Sequence, residues 1–390
     1  MPIPRRRILI SGGGIAGLTL AISLKSRGFE PLVIEREPAL RGEGYMMDFF
    51  GTGWDVAERM GLIDRLRGIR YPIDAVDFVD ASGRPYLHVP ITRIRAALDG
   101  KYVYLRRQDL EAILADRAQN SGVPIRYGTS IAVIEEQDDR VRVRFDDGAE
   151  STFWLVVGAD GVHSRVRELV FGPEAQFARF LGLTVAAFHL ARDSMPVMRA
   201  ATVYEETNRL AMIYPLDVER LDATFILRSD TPHIPHHGRA DFLRERLAGG
   251  SWLVPQLARA IPDEHLYFDT ATQIVMPEWH RGRVVLIGDA CGCMTLLAAQ
   301  GSHMAMADAF ILADELHKRS DHREAFSNYQ RRIKPHVERK QKTAARWASV
   351  LVPGLRSWPW LRRLSHRVLF SRALIRPAFR SFGSRSILET

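Results

Sequence analysis

The 390-residue sequence predicts an α/β fold with a parallel sheet flanked by helices, an inserted and mostly antiparallel β-sheet, and a helical C-terminal extension. Three observations support this prediction. A glycine-rich turn joins a short strand to a helix near the N-terminus, β-type runs fill the region from about residue 181 to residue 268, and residues 331–390 mix tryptophan, leucine and arginine. A chain of this length suits two or three domains.

The composition is typical of a folded globular protein. Hydrophobic residues make up 46% of the chain and charged residues 26%, which excludes disorder over most of its length. Cys291 and Cys293 are the two cysteines. They are too few for a disulfide framework, and their spacing suits neither a bridge nor a zinc site. These features favour a cytoplasmic location.

The net charge is distributed unevenly along the chain. Residues 331–390 hold 15 Lys and Arg against two acidic residues and so have a net charge of +13. The first 330 residues have a net charge of −5, which gives the total of +8. A basic tail of this kind is compatible with binding to nucleic acid, with an anionic membrane surface, or with a solvated helical face. The positive charge therefore describes the tail and not the whole protein.

The N-terminal segment resembles a signal peptide only superficially. Arg5–Arg7 precede an apolar stretch, but four glycines between Gly12 and Gly17 interrupt the region that should be helical, and no small-residue cleavage site follows. No run of about 18 uninterrupted apolar residues occurs, so no membrane-spanning helix is predicted.

A glycine motif predicts dinucleotide binding. The strand-like run 8–10 leads into Gly12-x-Gly14-x-x-Gly17, helical spacing of apolar residues follows, and a second apolar run ends in Glu35. The first glycine permits a tight turn, the second lets a pyrophosphate approach the backbone, and the third lets helix and strand pack closely. The helix N-terminus then holds the phosphates. Because a carboxylate would repel a 2′-phosphate, Glu35 favours FAD or NAD over NADP.

Two later motifs also follow strand-like runs. One spans residues 158–167 and reads Gly-Ala-Asp-Gly-Val-His-Ser-Arg-Val-Arg; the other begins at Gly288-Asp289-Ala290 and continues through Gln300-Gly301 and Asp308-Ala309. The three motifs occur in the same order as in a known family. Over about residues 5–330 the chain resembles the FAD-dependent monooxygenases of the aromatic-hydroxylase type. That family includes para-hydroxybenzoate hydroxylase and the tetracycline-inactivating enzymes, so polyketide substrates, secondary metabolism and antibiotic modification are expected.

The resemblance implies a domain organisation. A Rossmann-type FAD-binding domain of the GR2-like class is expected from residues 1–72, 100–178 and 269–330. A substrate-binding β-sheet domain is expected from residues 73–99 and 179–268, and a basic C-terminal helical extension from residues 331–390.

The resemblance also implies which residues bind FAD. They are Gly12, Gly14, Ile15, Ala16, Gly17, Glu35, Arg36, Arg107, Asp160, Asp289, Gly301 and Ser302. In the family pattern Arg107 reaches the flavin side of the cofactor, Asp289 accepts a hydrogen bond from the ribityl chain, and Asp160 lies in a signature shared by FAD and the nicotinamide nucleotide. The alternative for Arg107 is a surface charge at a helix start. A helix from about Gly301 would stabilise the negative charge of reduced flavin.

Three positions depart from the family pattern. Gly292 stands where many relatives have histidine, Leu296 where they have proline, and His303 where asparagine is frequent. FAD is still expected to bind. The loop beside its reactive ring is expected to be looser, or shaped for a bulkier substrate.

The resemblance implies the reaction as well. The chain has no second glycine-rich unit for a resident nicotinamide nucleotide, so NADH or NADPH is expected as a transient co-substrate that reduces the flavin. Reaction with O2 would then give a flavin C4a-hydroperoxide, which hydroxylates an aromatic or polycyclic molecule or performs a Baeyer–Villiger oxidation. Because the cofactor supplies this chemistry, no catalytic side chain is assigned.

The central region should supply the substrate pocket. Strands are predicted at residues 184–190, 201–204, 210–214 and 223–227, joined by 75–79 in one sheet. The resemblance implies that one face of this sheet roofs the flavin. Candidate pocket residues are His189, Tyr204, Met212, Tyr214 and Phe225, each equally compatible with core packing. His233, His236 and His237 lie among prolines in a predicted solvated turn, and no metal site is expected.

The tail leaves two interpretations open. The favoured one is a helical extension packed on the FAD domain with its arginines outward; the other is peripheral contact with an anionic membrane surface through about residues 340–385. No nucleic-acid-binding module is recognisable, so no nucleic-acid partner is expected. Both a monomer and a homodimer fit the sequence.

Other function classes also stay open. A flavin halogenase is disfavoured because Lys25 and Lys101 are the only lysines before residue 318 and neither lies in a halogenase-like motif. A prenyl-chain reductase, which would saturate double bonds without oxygen, remains an alternative because of the lipid-like tail. A non-catalytic, membrane-associated flavin-binding module is the alternative outside the enzymes.

Overall fold

The computed structural model describes residues 6–40, 42, 44–69, 71–192, 195, 198, 200–232, 234–295, 301–354, 358–381 and 386–388. Three positions singled out in the sequence, His233, Leu296 and Gln300, lie outside the described residues.

The strands follow in chain order. They are β1 (Arg7–Ser11), β2 (Glu30–Ile34), β3 (Met46–Phe50), β4 (Ala75–Val79), β5 (Pro85–Pro90), β6 (Tyr102–Arg106), β7 (Ile125–Arg126), β8 (Ile131–Glu136), β9 (Val141–Phe145), β10 (Glu150–Phe153), β11 (Leu155–Gly158), β12 (Ala178–Ala191), β13 (Ala201–Glu206), β14 (Arg209–Pro215), β15 (Arg220–Arg228), β16 (Tyr267–Ile274), β17 (His280–Arg281) and β18 (Val284–Leu286).

The α-helices lie between and after these strands. They are α1 (Ile15–Lys25), α2 (Gly51–Arg59), α3 (Ile63–Gly68), α4 (Ile91–Ala97), α5 (Arg107–Asn120), α6 (Arg165–Val170), α7 (Arg239–Leu247), α8 (Val254–Arg259), α9 (Asp289–Gly292), α10 (Gly301–Lys318), α11 (His322–Leu351), α12 (Pro359–Leu369) and α13 (Ile375–Ser381).

A six-stranded sheet with the order β17-β18-β11-β1-β2-β7 forms one half of the molecule. Strand β1 pairs in parallel with β2 on one side and β11 on the other. Its residues Ile8, Leu9 and Ile10 are fully buried, as expected for a strand covered by helices on both faces of a parallel sheet. This sheet confirms the nucleotide-binding half of the predicted fold.

A seven-stranded sheet with the order β16-β12-β15-β14-β13-β4-β5 forms the other half. Its pairs are antiparallel except for β13 and β4, which run in parallel. The five strands predicted from the central sequence correspond to β12, β13, β14, β15 and β4, so the inserted, mostly antiparallel sheet is confirmed. Helices α7 and α8 cover one face of it through a core that includes Phe188, Phe225, Leu243 and Leu257.

Two smaller sheets complete the β structure. Strands β8, β9 and β10 form a three-stranded sheet, and β3 pairs with β6. The second pair is antiparallel and sets Met46 opposite Arg106, while the amide of Arg107 donates to the carbonyl of Tyr45 over 3.1 Å. The start of α5 is thereby held beside β3.

Helix α11 connects the two halves. Its Gln341 donates through Nε2 to the carbonyls of Ile274 (2.7 Å) and Cys293 (2.9 Å), and Ala348 packs with residues of β12 and β15. Residue 331, where the basic extension was expected to begin, lies inside this helix. Among the described residues, no helix combines the length and the apolar character needed to cross a bilayer.

Helix α12 departs from the arrangement predicted for the tail. It lies against the seven-stranded sheet, where Arg362 points inward to Glu205 of β13 at 2.8 Å. The expected packing on the FAD domain is therefore wrong for this helix, and the expected outward orientation of the arginines is wrong for Arg362, whereas Arg363 and Arg367 are exposed. The physical reason is the carboxylate of Glu205, which gives an inward arginine a charged partner.

Candidate active site

A cavity of about 1010 Å³ lies where the two large sheets and the β3–β6 pair meet. Its lining includes Ser11, Glu35 and Asp160, which lie at or just beyond the carboxyl ends of β1, β2 and β11. This is the edge at which open α/β sheets bind ligands. All the predicted cofactor residues except Gly17 line this one cavity; they are Gly12, Gly14, Ile15, Ala16, Glu35, Arg36, Arg107, Asp160, Asp289, Gly301 and Ser302.

The glycine loop has a shape that larger residues would not permit. Gly12 has a φ of +116°, and a Cβ there would collide with the carbonyl of Ala159. Gly17 lies behind the loop, where a Cβ would collide with the carbonyl of Gly12. Helix α1 starts at this loop without a side-chain cap and without an acidic residue in its first turn. Its positive end is thus presented to the cavity, as binding of a pyrophosphate requires.

Glu35 is fixed beside the glycine loop. Its Oε2 accepts a hydrogen bond from the amide of Gly13 at 2.7 Å, and its Oε1 accepts one from the amide of Glu37 at 3.0 Å. Each carboxylate oxygen can accept a further hydrogen bond. The carboxylate is therefore oriented and still able to take up the hydroxyls of a ribose.

Arg107 lies in the cavity wall at the start of α5. Its Nη2 lies 2.8 Å from Oε1 of Glu111, one helical turn later, and both side chains line the cavity. Burial acts to lower the pKa of Arg107, but Glu111, Tyr45, Tyr267 and Asp289 together raise that pKa above its ordinary value, so the guanidinium stays charged. The neighbouring Asp109 accepts from the amide of Arg106 at 3.0 Å and caps the helix. The geometry favours a binding role for Arg107 over the surface-charge alternative.

Asp289 begins α9 on the same wall. Burial raises the pKa of Asp289, Arg107 opposes that rise, and the nearby Asp269 adds to it. Gly301 and Ser302, the first residues of α10, also line the cavity. A positive helix end and a carboxylate therefore lie on one wall, which suits a ligand with both a polyol chain and a ring that gains negative charge.

Comparison with known proteins identifies the family of the chain. The family described as FAD binding domain matches residues 5–343. The chain belongs to this family of FAD-dependent monooxygenases. A flavin-dependent monooxygenase from an unknown prokaryotic organism is 32% identical over 341 residues, which cover 86% of this chain and 88% of that protein.

Solved structures share the fold over nearly the whole chain. Tetracycline destructase Tet(55) has a TM-score of 0.85 and 28% identity, with 99% of each chain covered. HpxO of Klebsiella pneumoniae, solved with FAD and uric acid, has a TM-score of 0.82 and 20% identity over 97% of each chain. The predicted family and fold of the monooxygenase are thus confirmed, and FAD is the cofactor of the family.

Asp160 shapes the loop that carries the second motif of the monooxygenase. Its Oδ2 accepts from the amide of Val166 at 3.0 Å, and its Oδ1 accepts from the hydroxyl of Ser164 at 2.5 Å. Burial raises the pKa of Asp160, while Ser164 and the loop amides oppose the rise. Both oxygens make hydrogen bonds within the loop, so Asp160 holds the backbone of the cavity rim, and each oxygen can still accept a further hydrogen bond from the cavity.

Two of the three departures from the family pattern have a packing explanation. A Cβ at Gly292 would lie 2.9 Å from Cγ1 of Val337 on α11, so this chain has no room there for the histidine of its relatives. His303 is buried between Phe49 and Phe50, and its Nε2 lies 3.4 Å from the amide of Phe50. Burial and Lys340 lower the pKa of His303 to about 3, so its ring is neutral near pH 7.

A second wall of the cavity is one face of the seven-stranded sheet. Val185, Met212, Thr224 and Ile226 line the cavity there, with Tyr214 at one side. Neighbouring strands bring Met212 opposite Thr224. This wall is therefore largely apolar, as a pocket for a ring system requires.

The predicted pocket residues divide between the two faces of that sheet. Met212 and Tyr214 lie on the cavity side, whereas Tyr204 and Phe225 belong to the core under α7 and α8. The reason is the alternation of side chains along a strand, since Phe225 follows Thr224 directly. His189 lies beside Asp222, with Nδ1 3.3 Å from Oδ2, and the cavity lining does not include it.

Sequence reasoning missed an acidic and aromatic cluster on β3 and its neighbours. Asp48 lines the cavity and accepts a hydrogen bond from the hydroxyl of Tyr102. Burial raises the pKa of Asp48, and hydrogen bonds from Tyr102 and Tyr104 oppose the rise. Tyr45 and Tyr267 also line the cavity, with ring centroids 5.2 Å apart. The available signal was a single carboxylate within the otherwise apolar run Met46–Phe50.

His236, which was predicted to lie in a solvated turn, is exposed and lines the cavity.

Within the part of the chain that the structure describes, no cluster of three His, Cys, Asp or Glu side chains is placed to hold a metal ion. Cys291 and Cys293 are both buried and unpaired.

Proposed function

We propose that the chain is an NAD(P)H-dependent FAD monooxygenase that transfers one oxygen atom from O2 to an aromatic or polycyclic small molecule. The observation that carries this proposal is the continuity of the cavity. One space joins the glycine loop and Glu35 to the apolar face formed by Met212, Thr224 and Ile226. A cofactor held on the first wall would therefore meet a substrate held on the second.

The residues present fit FAD. The loop at Gly12–Gly14, with the uncapped start of α1, would hold the pyrophosphate, and Glu35 would accept hydrogen bonds from the adenosine ribose. Arg107 and Asp289 would hold the flavin side of the cofactor. The collisions that a Cβ would make at Gly12 and Gly17 support this assignment, because they explain why the loop needs glycine.

Bound FAD supplies the redox chemistry: it takes electrons from the nicotinamide co-substrate and activates O2. In the overall balance, one NAD(P)H, one proton and one O2 yield NAD(P)⁺, one water and a product with one added oxygen. The start of α10, at Gly301 and Ser302, would stabilise negative charge on the reduced ring. Backbone amides supply this stabilisation without a titrating side chain.

The apolar wall would position the substrate and exclude water. Val185, Met212 and Ile226 offer aliphatic and thioether contacts to a flat ring system, and Thr224 offers a hydroxyl. Exclusion of water favours oxygen transfer over unproductive loss of peroxide. Similarity to a protein described as a tetracycline destructase supports a polycyclic substrate, and both hydroxylation and Baeyer–Villiger oxidation fit the same walls.

The test is an assay of the FAD-loaded protein with NADH or NADPH and a panel of phenolic and polycyclic compounds. Oxygen uptake, nicotinamide oxidation and product mass should be followed under ¹⁸O2. We expect one compound class to stimulate nicotinamide oxidation and to yield a product that carries a single ¹⁸O atom.

Other outcomes would contradict the proposal. Failure of the purified protein to bind FAD would remove its basis. A product that gains two hydrogen atoms without oxygen would identify a reductase, and chloride incorporation would identify a halogenase.

A further inference from the structure

Helix α12 presents an apolar face to solvent. Trp360, Leu361, Leu364 and Val368 recur at the spacing that places side chains on one side of a helix, and they are 59%, 51%, 50% and 48% exposed. Trp358, directly before the helix, is 63% exposed. A helix on the surface of a soluble domain normally turns such residues inward.

Polar contacts on its opposite side hold the helix in this orientation. Arg362 donates to Oε2 and Oε1 of Glu205 at 2.9 and 2.8 Å and to the carbonyl of Val350 at 2.7 Å. His366 lies 3.0 Å from the hydroxyl of Tyr86. Rotation of the helix to bury its apolar side would break the Arg362–Glu205 pair, so the outward face is a built feature of the fold.

Exposed apolar surface is concentrated in this part of the chain. Among the described residues, eight of the eleven large hydrophobic side chains that are exposed lie between residues 347 and 374. Concentration of this kind marks an interaction surface, whereas single exposed hydrophobic residues do not.

The segment that carries this face has charges of one sign. Residues 347–388 contain eight arginines and no aspartate or glutamate. Arg363, Arg367 and Arg372 are exposed on or beside the helix. Tryptophan and leucine bordered by arginine are the pattern of helices that lie in the headgroup region of anionic bilayers.

We propose that α12 docks the enzyme on an anionic lipid surface, with Trp360, Leu361, Leu364 and Val368 inserted among the lipids and the arginines at the headgroups. Charge complementarity favours this occupant over a second copy of the chain. A symmetric dimer through this face would bring two arginine-rich segments together, and residues 347–388 supply no acidic partner for them. The proposal concerns where the enzyme sits and is independent of its reaction.

The experiment is vesicle co-sedimentation of the full-length, FAD-loaded protein. The vesicles are phosphatidylglycerol and phosphatidylcholine in equal parts, or phosphatidylcholine alone. The variant Trp360→Ser/Leu364→Ser tests the face, and Val218→Ser is the matched control, because Val218 is 83% exposed in the turn between β14 and β15. Bound flavin and the thermal unfolding midpoint report whether each variant stays folded.

We expect binding to the anionic vesicles, weakened by added salt, with a loss of about tenfold in the double variant and no change in the control. Absence of binding to anionic vesicles, or equal binding by wild type and double variant, would overturn the proposal. A dimer in light scattering that the double variant loses would also overturn it and would assign the face to a second copy.

Discussion

The two walls of the cavity differ in what determines them. The wall with the glycine loop depends on backbone geometry and on a few charged groups, since Gly12 and Gly17 leave no room for a Cβ and Glu35 is held by two amides. The sheet wall depends on side chains such as Met212 and Ile226, which project from regular strands. Changes to the first wall should therefore remove the cofactor, whereas changes to the second should alter the choice of substrate.

The largest effect is expected on the glycine-loop wall. Gly12→Ala should abolish FAD binding, because the new Cβ meets the carbonyl of Ala159 and the φ of +116° disfavours any side chain. Gly28→Ala is the control, since Gly28 also has positive φ, at +86°, but has open space around it. The control should lose about 1–2 kcal/mol of stability and keep its flavin, as measured by absorbance per protein. Equal flavin loss in both variants would contradict the steric explanation.

A smaller loss of FAD affinity is expected when a positive charge is removed from the same wall. Arg107→Ala should weaken FAD binding by about 2 kcal/mol, roughly thirtyfold in Kd, because it removes a charged donor and leaves Glu111 without this partner. Arg106→Ala changes the adjacent arginine, which pairs with Asp109 at 2.9 Å. Fluorescence titration of the apo protein with FAD should show near-normal affinity for Arg106→Ala. A weaker effect of Arg107→Ala than of Arg106→Ala would refute the assigned role.

Changes to the sheet wall should alter the KM for the substrate and not the affinity for FAD. Met212→Ala should raise KM for the substrate by about three- to tenfold through lost apolar contact, with the Kd for FAD unchanged. Ile213→Ala is the matched control on the same strand, because Ile213 is fully buried in the core on the other face. It should cost about 3 kcal/mol of stability without a change in KM. Steady-state kinetics and denaturant unfolding would separate the two effects.

The smallest effect on the binding of cofactor and substrate is expected at a buried carboxylate behind the glycine-loop wall, whose charge affects the stability of the fold. Asp308 accepts from the amide of Gly288 at 3.0 Å, and burial raises the pKa of Asp308 to about 8. Because this folded pKa lies above the unfolded value of about 3.9, the native state binds an extra proton, and its stability falls as pH rises from about 4 to 8.

Asp308→Asn should remove this dependence. The asparagine keeps an oxygen acceptor for Gly288 and carries no charge, so the stability advantage of the variant over wild type should be about 4 kcal/mol larger at pH 8 than at pH 5. Urea unfolding at the two pH values measures the difference. A gain that does not change with pH would mean that Asp308 does not titrate in this range.

The glycine-loop wall could be predicted from the sequence because its determinants are local. Gly12, Gly14 and Gly17 lie between a strand and a helix, and Glu35 ends the next strand, so spacing alone placed them together. Asp48 was missed because no strand was predicted at Met46–Phe50, and its partners Tyr102 and Tyr104 come from a strand far along the chain.

The sheet wall and the tail could be predicted only in outline. The alternation of side chains along a strand predicts that Thr224 and Phe225 lie on opposite faces of the sheet. Which of the two faces lines the cavity depends on how α7 and α8 pack. The orientation of α12 depends on Glu205, more than 150 residues earlier in the sequence. Such tertiary contacts leave no signal in the local pattern.

The most direct test of the account is a crystal structure of the protein with FAD and a polycyclic ligand. We predict the pyrophosphate at Gly12–Gly14, the adenosine ribose at Glu35, and the flavin ring beside Gly301 and Ser302. The ligand should lie between that ring and the face formed by Met212 and Thr224. A flavin ring held away from this face, or a ligand bound outside the shared cavity, would contradict the account.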